Sequence, residues 1–549
     1  MHRAIQIQEV LLMIFHHVRE NNGTSEDERS SKAALVNLAL TCSGLLEPAL
    51  DTLWLSMSSL LPLIKCLPEH TTQLTPVEKQ PGFSRRPPPI LEINDNVQDR
   101  DFDRLLYYAP RIKILNIVQE DCNLGCKTYE GLLSHKPIAG PILRNVRSLN
   151  IPLGAFEKSA ALPQLLFGAK MEALCVVEIF GDDLRGDEWN NVARLLDGLD
   201  CKKTISNLAL DAFTPYEFNL HIAEPVQFRF SELTRFTGLK KLDLAAYNLN
   251  VANIAPLGQI PGLEALCISM LEAGPHNLPT VPDGYFRELK SLEISVSDAT
   301  VISNLVEQWA ASELESLLIE RVDRSQFWDL TEIFRTLGQR LSPTSLKKLE
   351  LKNHWKASFS DPYNNNTSEV SNAALSNLYP FHELVKLSIN LGGRVTFGNA
   401  VLPQIAASFP RLERLEFYER ELSVPSIITP SAICLLVQSL PDLQHLTLRF
   451  NARFGFPAQN LPFSQKLRCL NVLTSDATDA PRISNFLDVC FPSLKYLGRG
   501  WNYWDSTDGH NMEYLMTPQE SARAEIFDRC WEAVYQRLPR CERLFLPNY

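Results

Sequence analysis

From about residue 111 onward the apolar residues recur in one short motif, apolar-x-x-Leu-x-apolar. Its middle leucines are Leu115, Leu149, Leu174, Leu208, Leu242, Leu266, Leu292, Leu317, Leu349, Leu387, Leu415, Leu446, Leu470, Leu497 and Leu544. From Leu242 through Leu266 and Leu292 to Leu317 the steps are 24, 26 and 25 residues, and the longer steps include 32 from Leu317 to Leu349 and 28 from Leu387 to Leu415. Typical copies are Leu263, Leu266, Ile268; Leu346, Leu349, Leu351; and Leu443, Leu446, Leu448. In an extended strand alternate residues face opposite sides, so the second and third anchors of each copy enter one core while the residues between them point out. Each fully buried anchor contributes about 1.5 to 3 kcal/mol. A single copy has no second layer to pack against, so the pattern predicts an array of stacked parallel strands.

Between strands, Leu330, Ile333, Phe334, Leu337 and Leu341, and again Ile433, Leu436, Val437 and Leu440, carry helical spacing. Turn cues precede many strands: Pro261 with Gly262, Pro410, Pro441 with Asp442, and Pro492 with Ser493. The period and the strand-plus-helix content predict an α/β solenoid, a leucine-rich-repeat horseshoe of parallel sheet plus helices, preceded by a small all-α module. Two insertions interrupt the rhythm. Residues 356–372 read as a polar loop whose Asn365 and Asn366 formally match glycosylation acceptors, and an aromatic insertion, Gly498, Gly500, Trp501, Tyr503 and Trp504, follows Leu497. A last helix at about 520–537, with Ile526, Trp531 and Val534, is expected to cap the array.

The N-terminal segment has a different rhythm. Ile7, Val10, Leu11, Ile14, Phe15 and Val18 form an amphipathic helical stripe, and residues 20–32 read as a polar loop. Helical spacing returns at Leu35, Leu38, Ala39 and Cys42, then at Leu46, Ala49, Leu50, Leu53 and Trp54, with Pro48 expected in the first turn of that helix. Leu60, Leu61, Ile64 and Leu67 suggest a further helix, and Pro68 to Pro89 read as a linker or mobile loop. The expected division is a helical module at 1–68, a linker or N-terminal cap at 69–110, and the solenoid with its C-terminal cap at 111–549. A module of about 50 residues sits near the lower limit of independent stability, so it needs a partner or the next domain to cover its apolar surface. By spacing alone it fits a plain cap of the array equally well.

Composition narrows the function. The chain has 53 basic and 64 acidic residues, a formal charge of −11, which argues against general binding to nucleic-acid phosphate. Twelve cysteines in 549 residues are too dilute for a disulfide scaffold; Cys175, Cys267 and Cys469 fall in apolar strand-like runs, which fits a reducing compartment. The run Val10 to Phe15, broken by His16 and His17, is a poor signal peptide, and no segment approaches 18 uninterrupted apolar residues. A protein of cytoplasm or nucleus, without membrane attachment, is expected.

Chemistry is sparse. Phosphate loops, His-Glu-x-x-His and Gly-x-Ser-x-Gly are missing from the sequence, and Cys122 with Cys126 lacks the matched second pair that a zinc site requires. No catalytic residue, metal site or cofactor is expected. Outward strand positions form rows instead: Lys348, Glu350 and Lys352; Lys386, Ser388 and Asn390; Arg414, Glu416 and Tyr418; His445, Thr447 and Arg449. Neighbouring rows would form one polar surface suited to a folded partner or an acidic peptide. The candidate substrate residues are Lys348, Lys352, Lys386, Arg414, Tyr418, His445 and Arg449, together with Trp501, Tyr503 and Trp504 on the insertion.

Residues 5–54 resemble an F-box, of the kind common in mushroom-forming fungi. The resemblance is carried by Ile7, Glu9, Val10 and Leu11, then Ile14 and Phe15, then Leu35 to Cys42, then Pro48, Ala49, Leu50, Leu53 and Trp54 in order; Gln8 stands where the family usually has Pro. It implies that Ile7, Glu9, Val10, Leu11, Ile14, Phe15, Leu35, Leu38, Pro48, Leu53 and Trp54 dock a Skp-type adaptor, which links the chain to cullin and RING subunits. The solenoid would then select an unknown protein substrate for ubiquitination. A scaffold or inhibitor whose helices only cap the array is the competing expectation.

Overall fold

The computed structural model describes residues 8–20, 25–76, 89–94, 96–117, 124, 126–152, 162–179, 195–196, 199, 201–213, 230–249, 254–270, 286–308, 313–322, 328–353, 368–391, 393–419, 424–458, 464–498 and 518–543. Two compact units are present. The first comprises Met1–Phe218, Gln227–Ala246 and Ile260–Gly262, and the second Asn219–Val226, Tyr247–Gln259 and Leu263–Tyr549.

The first unit opens with three helices, α1 (Gln8–Glu20), α2 (Ser25–Thr41) and α3 (Ser43–Trp54). Leu11, Phe15, Leu35 and Ala49 form their core, with Val18, Leu38, Ala39, Leu45 and Leu53 packed around it. Helix α2 begins inside the stretch expected to be a loop. Leu35 of the same helix packs in the module core, and a helix formed there extends back through the polar residues at one hydrogen bond per residue. Pro48 lies within α3 and not in its first turn, because the helix starts at Ser43. The carbonyl of Gly44, left without its usual donor, sits at an exposed residue where water can satisfy it.

Chain continuity then feeds directly into a parallel sheet. Strands β1 (Ser56–Met57), β4 (Ile114–Asn116), β5 (Ser148–Pro152), β6 (Ala173–Ile179), β7 (Asn207–Phe213) and β8 (Lys241–Asn248) follow one another as neighbours, with β2 (Thr72–Thr75) and β3 (Ile90–Ile93) forming a separate antiparallel pair. The stretch expected as linker is therefore ordered at its start, where Glu69–Thr71 make a 3-10 turn before β2. Helices α4 (Leu61–Ile64), α5 (Asp103–Tyr108), α6 (Cys126–His135) and α7 (Leu162–Leu166) lie between these strands in sequence. The register matches Met57 to Leu115, Leu115 to Leu149, Leu149 to Leu174, Leu174 to Leu208, and Leu208 to Leu242.

In the second unit the parallel strands are β9 (Ala265–Met270), β10 (Ser291–Val296), β11 (Ser316–Arg321), β12 (Lys348–Asn353), β14 (Lys386–Asn390), β16 (Arg414–Phe417), β17 (His445–Thr447), β18 (Cys469–Asn471), β19 (Tyr496–Gly498) and β20 (Glu542–Arg543), while β13 (Glu369–Val370) and β15 (Arg394–Val395) make a small pair of their own. Interleaved are α8 (Ile254–Gly258), α9 (Ala299–Gln308), α10 (Leu330–Arg340), α11 (Asn372–Ser376), α12 (Leu402–Ser408), α13 (Pro430–Ser439), α14 (Ala480–Cys490) and α15 (Pro518–Gln536). Leu266, Leu292, Leu317, Leu349, Leu387, Leu415, Leu446, Leu470 and Leu497 stand opposite one another strand by strand. All are 3% exposed or less. This unbroken leucine ladder is what makes the fold an α/β solenoid, since stacking of the copies is what buries the anchors.

The ladder ends differently from expectation. Leu544 lies outside the described residues, and Arg543 stands opposite Leu497. The polar insertion is shorter than its composition suggests, because Glu369–Val370 form β13 and Ser371 caps α11 by accepting from the N–H of Ala374. Asp329 and Asp479 start α10 and α14 in the same way, accepting from Thr331 and Arg482 N–H groups. Gly262, at φ 74°, takes the left-handed turn that Pro261 introduces ahead of β9. Trp531 and Val534 of α15 are buried, whereas Ile526 is exposed.

Candidate functional site

The helical module divides its apolar residues into two sets. Leu11, Phe15, Leu35 and Pro48 are interior, so they hold the module together and are not free to meet a partner. Leu38 and Leu53 pack against that core, and Trp54 is half-buried. Among the residues implied by the F-box resemblance, Glu9 and Ile14 are exposed and Val10 is half-buried. Ile7 lies outside the described residues.

Ile14, named from the sequence, is 46% exposed, and sequence reasoning missed three other exposed apolar side chains of the module: Met13 at 64%, Val36 at 41% and Leu40 at 78%. The signal was present in α2, whose run Ala33 to Leu40 is apolar on more than one face; a helix of that kind has one stripe too many for a three-helix core.

Several contacts fasten the module to the start of the sheet within the first unit. Trp54 stacks on Tyr108. Arg111 pairs with Asp51 and with Glu47, and the Tyr107 hydroxyl donates to Glu47 at 2.6 Å. The Tyr107 hydrogen bond, then that of Arg111, holds the Glu47 carboxyl below its ordinary range. Arg19 of α1 donates to the carbonyls of Thr52 and Ser56 at 2.8 and 3.0 Å.

On the second unit's sheet the outward positions line up in columns. Lys348, Lys386, Arg414 and His445 are register neighbours, and beside them run Glu350, Ser388, Glu416 and Thr447. Lys386 pairs with Glu350 at 2.5 Å, Arg414 with Glu416 at 3.9 Å, and Ser388 donates to Glu416 at 2.8 Å. Lys352 reaches Glu320 at 3.5 Å and Glu293 at 3.9 Å. His445 is half-buried, and burial, reinforced by Arg414, Arg468 and Lys386, pushes its pKa down. Tyr418 is half-buried beside β16, its N–H donating to the Ile389 carbonyl.

Arg449 departs from the sequence expectation. It is 1% exposed, paired with Glu419 at 3.5 Å and Asp476 at 3.8 Å, so it is an interior group and not part of the open strand face. Strand β17 ends at Thr447, and the alternation that would have turned Arg449 outward ends with it. Trp501, Tyr503 and Trp504 lie outside the described residues, as does Cys122; Cys126 begins α6.

Candidate chemistry is sparse among the described residues. No group of three or more His, Cys, Asp or Glu side chains could hold a metal ion there. Burial raises the thiol pKa of Cys434, Cys490, Cys530 and Cys541, and pushes Cys469 up to about 12, so these sulfurs stay protonated and weakly nucleophilic. No described helix is long and apolar enough to cross a membrane.

No family model and no curated protein matches the chain. Solved structures do share features with it. The yeast Rad7–Elc1 complex aligns at 12% identity over 92% of this chain and 91% of that chain, with a TM-score of 0.32. A TLR13–ssRNA13 complex aligns at 13% identity over 71% and 57%, also at 0.32, and the plant peptide hormone receptor RGFR1 with RGF2 at 10% identity over 72% and 60%, at 0.27. At such scores the solenoid assignment rests on the strand register of this chain itself.

Proposed function

We propose that the chain is the substrate-recognition subunit of a Skp–cullin–F-box ubiquitin ligase. The helical module, assigned to residues 1–68, docks a Skp-type adaptor; residues 69–110 join it to the array; the solenoid at 111–549 binds the protein to be modified. The observation that carries this reading is the exposed apolar set Met13, Ile14, Val36 and Leu40 on a module that already has a complete core in Leu11, Phe15, Leu35 and Ala49. Four large exposed apolar side chains on so small a domain offer surface for a protein contact, and they lie within the segment that resembles an F-box. In this scheme the chain catalyses nothing itself. It raises the local concentration of substrate beside a recruited transfer enzyme, in cytoplasm or nucleus.

The test is binding of the full chain to a purified Skp-type adaptor, measured by calorimetry. Ile14→Asp with Leu40→Asp is expected to abolish binding with the fold retained. Unchanged binding by that variant, or none by the parent, would overturn the reading. A second reading, a scaffold whose helices only cap the array, is favoured by the contacts of Trp54, Arg111 and Arg19, which fasten the module to β1 and α5. It predicts no adaptor binding at all.

A further inference from the structure

We propose that Lys348, Lys386, Arg414 and His445, extended by Arg468 and ended by Tyr496, form a strip that binds an extended acidic segment of a protein partner. The inference rests on the adaptor reading only in calling that segment the substrate.

Geometry comes first. The four residues occupy equivalent positions on β12, β14, β16 and β17, the column continuing through Cys469 to the exposed Tyr496. Parallel strands lie about 4.8 Å apart, so Lys348 and His445 are about 14 Å apart, the reach of about five residues of extended peptide. Like charges directly opposite each other on a sheet are unfavourable, and the chain as a whole carries −11. A basic column is therefore an arrangement the fold does not need, and a bound anion relieves it.

Charge balance points the same way. Glu350 and Glu416 offset only the middle of the column, at Lys386 and Arg414. Lys348 at one end of the column and Arg468, the residue just before Cys469, are exposed and form no ion pair or side-chain hydrogen bond among the described residues. Beyond burial, the charges that depress the His445 pKa are Arg414, Arg468 and Lys386, which marks positive potential along the column.

The neighbouring carboxylates also choose the class of ligand. A nucleic-acid strand, charged at every residue, would meet Glu350 and Glu416 as repulsion. A peptide brings N–H groups that can donate to those carboxylates while its acidic side chains meet the cations.

The experiment uses the full chain, without adaptor, and fluorescence anisotropy with short labelled peptides carrying glutamates, phosphoserines, or glutamines at the same positions. Both acidic peptides, or either one, are expected to bind in preference to the glutamine peptide and to weaken with salt; the arm that binds tells carboxylate from phosphate. Lys348→Glu with Arg468→Glu is expected to weaken binding at least about tenfold, and Lys348→Gln with Arg468→Gln by less, at unchanged Tm. Equal binding of acidic and glutamine peptides, charge reversal without effect, or tighter binding of a single-stranded oligonucleotide would each overturn the proposal. With the adaptor left out, these outcomes say nothing for or against docking of the helical module.

Discussion

The indole of Trp54, last residue of α3, stacks on the ring of Tyr108, last residue of α5, with centroids 4.6 Å apart and planes 17° apart. This contact, with Arg111 on Glu47 and Asp51, fixes the helical module against the opening of the sheet in the first unit. A partner seated on Met13, Ile14, Val36 and Leu40 would thus hold the first strands in a set orientation.

Trp54→Ala is expected to destabilise the first unit by about 2 kcal/mol, combining lost burial with lost ring stacking. Trp54→Ala with Tyr108→Ala should cost less than the sum of the two single changes. Thermal unfolding of the three variants measures this; strict additivity would show the rings to be uncoupled.

Phe15→Asp and Ile14→Asp are adjacent changes with opposite expected outcomes. The first buries a carboxylate in the three-helix core, where isolated charge is strongly unfavourable, and should unfold the module. The second lands on exposed surface and should leave the far-ultraviolet circular dichroism and Tm nearly unchanged. Loss of structure in both would mean Ile14 belongs to the core.

His445 makes stability depend on pH. Its folded pKa is depressed, chiefly by burial and then by Arg414, Arg468 and Lys386. The unfolded state therefore binds the proton more readily, and the stability contributed by the neutral ring is complete above the ordinary histidine pKa and falls as pH drops through it. The parent is expected to lose more Tm between pH 7.5 and pH 5.5 than His445→Asn does. Parallel curves for the two proteins would rule this out.

Asp476 is fully buried, with the Nη2 of Arg523 of α15 donating to both of its carboxylate oxygens at 3.1 and 3.2 Å and Arg449 nearby. Arg523→Ala removes part of its compensation and should cost about 2 to 3 kcal/mol, less than loss of a fully buried partner because Arg523 is partly exposed. Hydrogen exchange should rise first in α15, which Trp531 still anchors through its bond to the Ser475 carbonyl. Uniform protection across α15 would contradict a capping role for this pair.

The strand ladder was legible from Leu115 to Leu497 because one physical rule, burial of every second residue between identical neighbours, repeats unchanged along it. The helix starts at Ser25 and Ser43 were not: no side-chain cap or acidic first turn marks Ser43, and polar composition hid the start at Ser25. Arg449 was misplaced outward because alternation was extended past Thr447, where the strand stops. The exposed face of the module was hidden for a different reason. Val36 and Leu40 look like core residues by type, and only the packing of α1 and α3 shows which stripe of α2 is left over.

Arg321 holds groups well downstream of itself: it donates to the Asn353 side chain at 2.9 Å, the Ser368 hydroxyl at 3.3 Å and the Leu391 carbonyl at 2.8 Å. Leucine rungs are interchangeable, so gene duplication or loss of a copy would leave them satisfied almost anywhere. A guanidinium spanning several successive copies is not interchangeable: inserting or removing a copy between Arg321 and Leu391 would break these bonds.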